Sequence, residues 1–537
     1  MLVEWEIARL GPTQLSSPVI IDSFSIVFIT TVLTITTSVL QFTKYYMAHE
    51  KFVNRFTILV ILFVMSIIFI ILFPHAMTLL LGWDGLGITS FVLVIYYQTP
   101  KSLGAGLITA LTNRVGDVTL LVTVAYLASQ GHWLIINIWE DPLIKWIVGL
   151  VIVAAITKRA QVPFSRWLPA AMAAPTPVRA LVHSSTLVTA GVYLLFRFYP
   201  IMRRWPQFFN ILILFSSLTI LIAGARAIAE CDIKKIIALS TLRQLGVIMF
   251  TIRIGLPSLA FFHLITHALF KALLFICAGY IINIHHHSQD LRTMGNIVHQ
   301  MPIVTRMMLI ANIALCGAPF IAGFYSKDTI IEQFTLVNKN AIITLMFITA
   351  TVLTTAYSTR FSIYVLIGPT YSPASQYSSE SLSEAHATTT LGAGAIVGGS
   401  TVNWLLIPPT TEAPIHLADK TQPIAIILVG LIVGIRVFYA HNRGPSALST
   451  TNMSMWHLTP IVTHSFHPEL LTPSFWQLKI TDQGWNETPQ LIFYNNYRSS
   501  LYAAGGIQLN MITSQVLSVI SGLSILILFS FYSGSLN

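Results

Sequence analysis

Apolar residues run along this chain in blocks of about twenty, the length with which a helix crosses the hydrocarbon core of a bilayer. The blocks fall at 21–43, 55–73, 75–97, 104–127, 176–198, 207–229, 233–252, 257–283, 302–323, 340–367, 389–408, 421–441 and 512–533, and a further helix arrives at Lys158. The pattern predicts an all-α polytopic membrane protein of about fourteen transmembrane helices. Residues 1–20 are mixed, and VEWEIARL predicts an extended pair at the surface. The Ser/Thr-rich stretch 369–390 reads as a loop. Between 442 and 511, Trp456, Trp476 and Trp485 are mixed with His, Asp and Glu. Such material lies along an interface, so a lateral amphipathic helix is expected there, followed by a C-terminal anchor over 512–537.

Two of the apolar runs are interrupted. From Ile156 to Val188 the chain reads ITKRAQVPFSRWLPAAMAAPTPVRALVHSSTLV, and Pro163, Pro169, Pro175 and Pro177 forbid one continuous helix. In lipid, broken backbone survives only where protein or a water-filled cavity satisfies the freed groups. Lys158 stands at this break. The 302–323 run holds Gly317, Pro319 and Gly323 ahead of FYSKDTIIEQF, which sets Lys327 and Asp328 beside a second break. Paired interruptions in two halves of a chain mark repeat-built transporters with sites near the midplane. The organisation expected is an N-terminal hairpin with accessory helices (1–74), a first repeat (75–198), a second repeat (207–367) and additional helices (368–441). The lateral region (442–511) and the anchor (512–537) complete it.

Composition narrows the function. Only 9% of residues are charged and 54% are hydrophobic, with mean hydropathy +0.72, whereas soluble domains carry about 25% charged residues. The net charge of +10 does not indicate nucleic acid, because the basic residues sit singly, at span ends or within spans. Cys231, Cys277 and Cys316 are scattered without metal-ligand spacing, so no redox centre, metal or cofactor is expected in this chain.

A charge at mid-bilayer costs about 2.5–3.5 kcal/mol, so each one asks for a partner or a purpose. Asp84, in LGWDGLGITSF, is either a locally paired carboxylate or the ion-pair partner of a lysine. Arg114 and Asp117 lie three apart on one helix face and can pair, structurally or functionally. Lys158 has no carboxylate within its own turn, so its partner comes from another span. Desolvation disfavours a charged lysine and a nearby carboxylate favours it, which makes such a group a switchable proton carrier. His183, in ALVHSST, is either a core histidine held by Ser184 or Ser185 or part of that path. His263, His267 and Lys271 form an i, i+4, i+8 stripe in FFHLITHALFKALLF. Two histidines at that spacing suit zinc, but without a glutamate or thiolate nearby a proton relay is the better reading. The run His285-His286-His287 at a span end receives no role.

Gathered together, GWDGLG (82–87), LTNRVGD (111–117), WLPAAMAAPTPVRALVHSSTLVTAGVYLL (167–195), DIKKIIALSTLRQLG (232–246), HLITHALFKALLF (263–275) and GAPFIAGFYSKD (317–328) carry a resemblance. The chain resembles the antiporter-like membrane subunits of mitochondrial NADH:ubiquinone oxidoreductase (respiratory complex I), in their subunit 5 branch. The resemblance runs over about 50–535 and includes DQGW (482–485) in the lateral segment. It implies two inverted five-helix repeats, each with a half-channel and a broken helix, and one or two further spans ahead of the segment resembling VEWEIARL. Asp84 falls on the family's acidic partner, usually a glutamate, Lys158 on the lysine of the first broken helix, and His183 on a bridging histidine. His263, His267 and Lys271 fall on the connecting residues, Lys327 and Asp328 on the terminal charged pair, and Asp117 on a carboxylate near one half-channel. The implied activity is proton translocation in the inner mitochondrial membrane, with NADH, FMN, iron–sulfur clusters and ubiquinone elsewhere in the complex. Implied partners are other membrane-arm subunits, above all the neighbouring antiporter-like subunit, and membrane lipids. A multisubunit sodium/proton antiporter shares the fold and is the alternative. A scaffold without transport predicts no titratable chain across the midplane, and this sequence has one.

Arg159, Arg166, Arg179 and Arg243 occupy positions where the resemblance places serine. Arginine keeps its proton in proteins, so four unpaired ones at small, partly buried sites are costly. Certain mitochondrial codes read AGA and AGG as serine, and the expectation is that some or all of the four are serines. That change takes the formal charge from +10 to about +6 (10 − 4).

Overall fold

The computed structural model describes the chain except residues 11–12, 131–132, 134–143, 286–287, 338–339, 370–379, 381, 407–416, 441–446, 458–466, 510–511 and 535–537. The extended pair expected around VEWEIARL is present: β2 (Glu6–Leu10) pairs antiparallel with β3 (Thr13–Ser16), and β1 (Leu2–Val3) with β4 (Val19–Ile20). Then follow α1 (Ser23–Tyr46), α2 (Val53–Leu72), α3 (Ala76–Val94), α4 (Pro100–Ser129) and α5 (Ile144–Lys158). Short α6 (Trp167–Ala170) and α7 (Thr176–Leu181) cross the first break, and a π-helical turn at Val182–Thr186 leads into α8 (Leu187–Met202). After these come α9 (Pro206–Ala229), α10 (Ile233–Ile254), α11 (Pro257–Ile284), α12 (Ile297–Gln300), α13 (Pro302–Cys316), α14 (Ala322–Val337), α15 (Ala341–Ser362), α16 (Leu382–Leu406), α17 (Leu417–Ala440) and α18 (Ala447–Met453).

The helix ends are written in the sequence. Pro206, Pro257 and Pro302 open α9, α11 and α13, where a missing N–H costs nothing. The Thr99 side chain accepts from the Ser102 N–H and caps α4. Gly255 (φ +99°) and Gly317 (φ +85°) end α10 and α13 in the left-handed region that glycine adopts freely.

Ten of the described helices are long and apolar enough to cross a membrane. The count of about fourteen included four more. Three are α5 and α13, each of 15 residues, and α21 (Ile512–Gly534), whose apolar described stretch is shorter than a span. The fourth is α16, rich in Gly, Ala and Thr. It begins at Leu382, inside the stretch read as a loop. Its glycines are contact surface: a Cβ on Gly392 would meet Met307 Sδ at 2.4 Å, and one on Gly399 would meet Ala322 Cα at 2.4 Å. Membrane helices use small residues this way to let backbones approach. The pair α15–α17 does the same, with Gly430 against Thr355 and Gly434 against Thr359.

The centre of this bundle is α11. It packs against α1, α7, α8, α10, α13, α14 and α16, and its residues from Leu259 to Ile282 are buried. A helix apolar all round belongs in the interior, and α11 is the strongest example here. By contrast α2 buries Phe56, Val60, Phe63 and Ile67 while Ile58, Ile61, Leu62 and Met65 face outward, as a lipid-facing helix does.

Residues Met1–Leu458 form one compact unit and Thr459–Asn537 another. The second unit contains α19 (His467–Gln477), a π-helical turn at Leu478–Trp485 that holds the DQGW motif, α20 (Thr488–Leu509) and α21. The expected lateral segment is helical over most of its described length.

Candidate functional site

The first break is closed by polar side chains that reach across it. α5 ends at Lys158, and Ala160 takes φ +53°. The Trp167 indole N–H donates to the Thr157 carbonyl (2.9 Å), and the Gln161 N–H to the Ile156 carbonyl (3.2 Å). Thr219 Oγ1 on α9 donates to Gln161 Oε1 at 2.5 Å. Each of these satisfies or anchors backbone that the prolines freed, as lipid demands.

Lys158 is fully buried and sits on Trp83 of α3. Its ammonium donates to the Trp83 carbonyl (3.2 Å) and lies 4.7 Å from the centre of the indole ring. The Trp83 indole N–H donates to Asp117 Oδ1 on α4 at 2.9 Å. Asp117 also pairs with Arg114 at 3.5 Å, the local pair the spacing suggested. Asp84 is different. Its carboxylate is 3.9 Å from Arg114, and among the described residues Lys158 makes no ion pair within 4.0 Å. The direct Asp84–Lys158 pair implied by the resemblance is therefore absent from this arrangement. The reason is geometric: adjacent helix residues do not face one another, so with Trp83 turned to Lys158, Asp84 turns to Arg114.

His183 lies in the π-helical turn, and its side chain lies outside the described residues. The stripe on α11 is buried throughout. Lys271 Nζ donates to Ser240 Oγ on α10 (2.5 Å). His263 Nδ1 meets Ser326 Oγ on α14 (2.9 Å), and its Nε2 faces Gln244 Oε1 (3.4 Å). The two rings of His263 and His267 are 6.4 Å apart, and His267 has no hydrogen-bond partner among the described residues.

At the second break, Lys327 Nζ donates to the Cys316 carbonyl (2.7 Å), left open where α13 ends, and to Thr354 Oγ1 (3.2 Å). Gly317 makes room, since a Cβ there would come within 3.1 Å of Lys327 Cδ. A small cavity beside Lys327 is lined by Asp328, Thr351, Pro423 and Ile426. Lys327 and Asp328 do not pair, again because neighbours on a helix diverge. Among the described residues no group of His, Cys, Asp and Glu could hold a metal.

Ser240, Gln244, Ser326, Thr354 and Trp83 were not singled out from the sequence. A signal existed for four of them: they are uncharged polar residues inside spans, and reading only the charged groups passes over them. Trp83 gave none.

Two broken helices and a buried line of lysines and histidines define a polytopic membrane protein of the antiporter-like class. The family model described as NADH:quinone oxidoreductase/Mrp antiporter, TM, matches residues 74–354. Those for the complex I chain 5 N-terminus and the NADH dehydrogenase subunit 5 C-terminus match 5–57 and 357–534. NADH-ubiquinone oxidoreductase chain 5 of Lumbricus terrestris is 45% identical over 91% of this chain and 86% of its own length. That of Anopheles gambiae is 42% identical over 93% and 88%. The fold is similar to a chain of an Mrp complex from Dietzia sp., with TM-score 0.70 and 23% identity, over 99% of this chain and 57% of that one. The chain belongs to the NADH-ubiquinone oxidoreductase chain 5 family.

Proposed function

We propose that this chain carries protons across the inner mitochondrial membrane along the line from Asp117 and Lys158 at the first break, through the stripe of His263, His267 and Lys271 on α11, to Ser326 and Lys327 at the second. It is a multi-pass membrane subunit of the proton-translocating NADH:ubiquinone oxidoreductase, and it works beside other membrane-arm subunits. The observation that carries the path is the link between α11 and α14: His263 Nδ1 meets Ser326 Oγ, on the helix that carries Lys327, so the central stripe is tied to the element at the second break. Imidazoles and hydroxyls can accept a proton on one side and give one up on the other.

The arrangement supports a transfer sequence. Lys158 gives up its proton when the charges around it change, the two histidines and Lys271 receive and pass it, and Lys327 with Asp328 exchanges with the far side. Asp84, through Arg114, and His183 beside the first break act on the charge balance at Lys158. NADH, FMN, iron–sulfur clusters and ubiquinone belong to other subunits in this reading, and the neighbouring antiporter-like subunit and lipids are the immediate contacts. The match of 357–534 to the subunit 5 C-terminal model favours this reading over a sodium/proton antiporter subunit. The test is Lys158→Met and Lys327→Met in the assembled complex in sealed vesicles. Each is expected to abolish the proton movement that depends on this chain, and an unchanged number of protons per NADH overturns the proposal.

A further inference from the structure

The resemblance points to Asp84 as the acidic partner of Lys158, yet the side chain that lies against Lys158 is Trp83. Its side chain is fully buried, and three helices meet on it. Its ring lies under the Lys158 ammonium of α5 at 4.7 Å, its own carbonyl on α3 accepts from that ammonium at 3.2 Å, and its indole N–H reaches Asp117 on α4 at 2.9 Å. Asp117 and Lys158 carry opposite charge without forming an ion pair, and the indole stands between them.

We propose that Trp83 is the positioning residue that couples the charge of Lys158 to that of Asp117. The indole face attracts a cation through its quadrupole and has no such attraction for a neutral amine. The indole N–H is a donor only, and a carboxylate holds it more strongly than a neutral carboxyl does. The ring is therefore gripped from both sides while Lys158 is protonated and Asp117 ionised. Loss of either charge loosens the ring, and the other group responds although the two never touch. Released from Trp83, the Lys158 side chain is free to turn toward the next carrier.

The inference rests on the reading of Lys158 as a proton carrier, and the experiment separates the two. Trp83→Phe keeps a ring under the ammonium and removes the donor to Asp117, while Trp83→Leu removes both. Each is made in the full complex, alone and with Asp117→Asn, and proton movement per NADH is expressed per assembled complex. Trp83→Phe is expected to lose at least half of the proton movement that Lys158→Met loses, Trp83→Leu at least as much. On the Asp117→Asn background Trp83→Phe is expected to add no further loss. The spectroscopic signature is the Asp117 carboxylate band in infrared difference spectra, identified by its absence in Asp117→Asn. It is expected to shift on Lys158→Met when Trp83 is present and to shift less with Phe at 83, where only the through-space field of Lys158 remains. If Lys158→Met pumps normally, the proton-path reading falls. If Lys158→Met fails while Trp83→Phe pumps normally, or the Trp83 and Asp117 losses add, or the band shifts equally in both backgrounds, Trp83 alone loses its role. Where Trp83→Leu does not assemble, Trp83→Phe and the band decide.

Discussion

Arg159, Arg179 and Arg243 stand in the core of the bundle, each at most 2% exposed. Among the described residues, all three guanidinium nitrogens of Arg159 lack a hydrogen-bond acceptor. Arg179 and Arg243 each leave Nε and one terminal nitrogen without one, and the remaining nitrogen is pressed against the Met172 and Ala350 carbonyls respectively. Arg360 is better served in the same bundle: its Nε also lacks an acceptor, but both terminal nitrogens have partners, in the Ile228 and Glu230 carbonyls at the end of α9 and Cys231 Sγ. At about 2.5–3.5 kcal/mol for each mid-bilayer arginine, the three together cost about 8–10 kcal/mol. That approaches the whole stability of a typical domain, about 5–15 kcal/mol. Serine removes the cost, because a helical serine bonds back to its own turn, as Ser240 does to the Ile237 carbonyl and Ser185 to that of Leu181. The expected outcome is that the protein isolated from its membrane carries serine at 159, 179 and 243, read from AGA or AGG codons. Peptide mass spectrometry of the purified chain is the assay: trypsin leaves these three positions uncut, and the fragments have serine masses. Tryptic cleavage after 159, 179 or 243 with arginine masses refutes the reasoning. Arg166 is exposed and carries no such argument.

Other outcomes follow from the packing and the loops. Gly430→Leu is expected to force α17 off α15, because even a Cβ there would lie 1.4 Å from Thr355 Oγ1; overpacking of this kind costs about 1–3 kcal/mol or more, and a lower melting temperature of the assembled complex measures it. Arg360→Met strands two carbonyls at the end of α9 and is expected to cost about 2–3 kcal/mol, read the same way. In the loop after α11, hydrogen bonds from the Arg292 guanidinium hold the Asp290 carboxyl below the usual carboxylate range. Its contribution is thus present above the ordinary Asp value and lost as pH falls through the lowered one. Because both groups are partly exposed, Asp290→Asn is expected to cost less than about 1 kcal/mol at neutral pH and to remove that acid dependence of loop protection in hydrogen exchange.

Much of this architecture was legible in advance. Hydrophobic length gave the ten long spans within a few residues, and Pro163 to Pro177 and Gly317 to Gly323 gave both breaks, because lipid allows so few alternatives for a polar backbone. The stripe of His263, His267 and Lys271 was visible because α11 is helical and the spacing is helical. What could not be read was which side chains meet across helices. The resemblance made Asp84 the partner of Lys158, but the rotation of α3 presents Trp83 instead, and rotation is set by packing of α3 against α2 and α4 that no single stretch encodes. The glycines of α16 misled in the same way: they lower its apolarity while marking a close helix contact.

Lys158, Lys271 and Lys327 share one property with a consequence beyond their own sites. Lys158 rests on a carbonyl and an indole, Lys271 on a hydroxyl, and Lys327 on a carbonyl and a hydroxyl. Among the described residues each is held by neutral dipoles and none touches a counter-charge, so a proton leaving any of them strands no anion in contact. On the proposed path each lysine is therefore released by a change in the charge around it and not by the loss of a bonded anion, and the carboxylates placed to make that change are Asp117 and Asp84 at one end and Asp328 at the other.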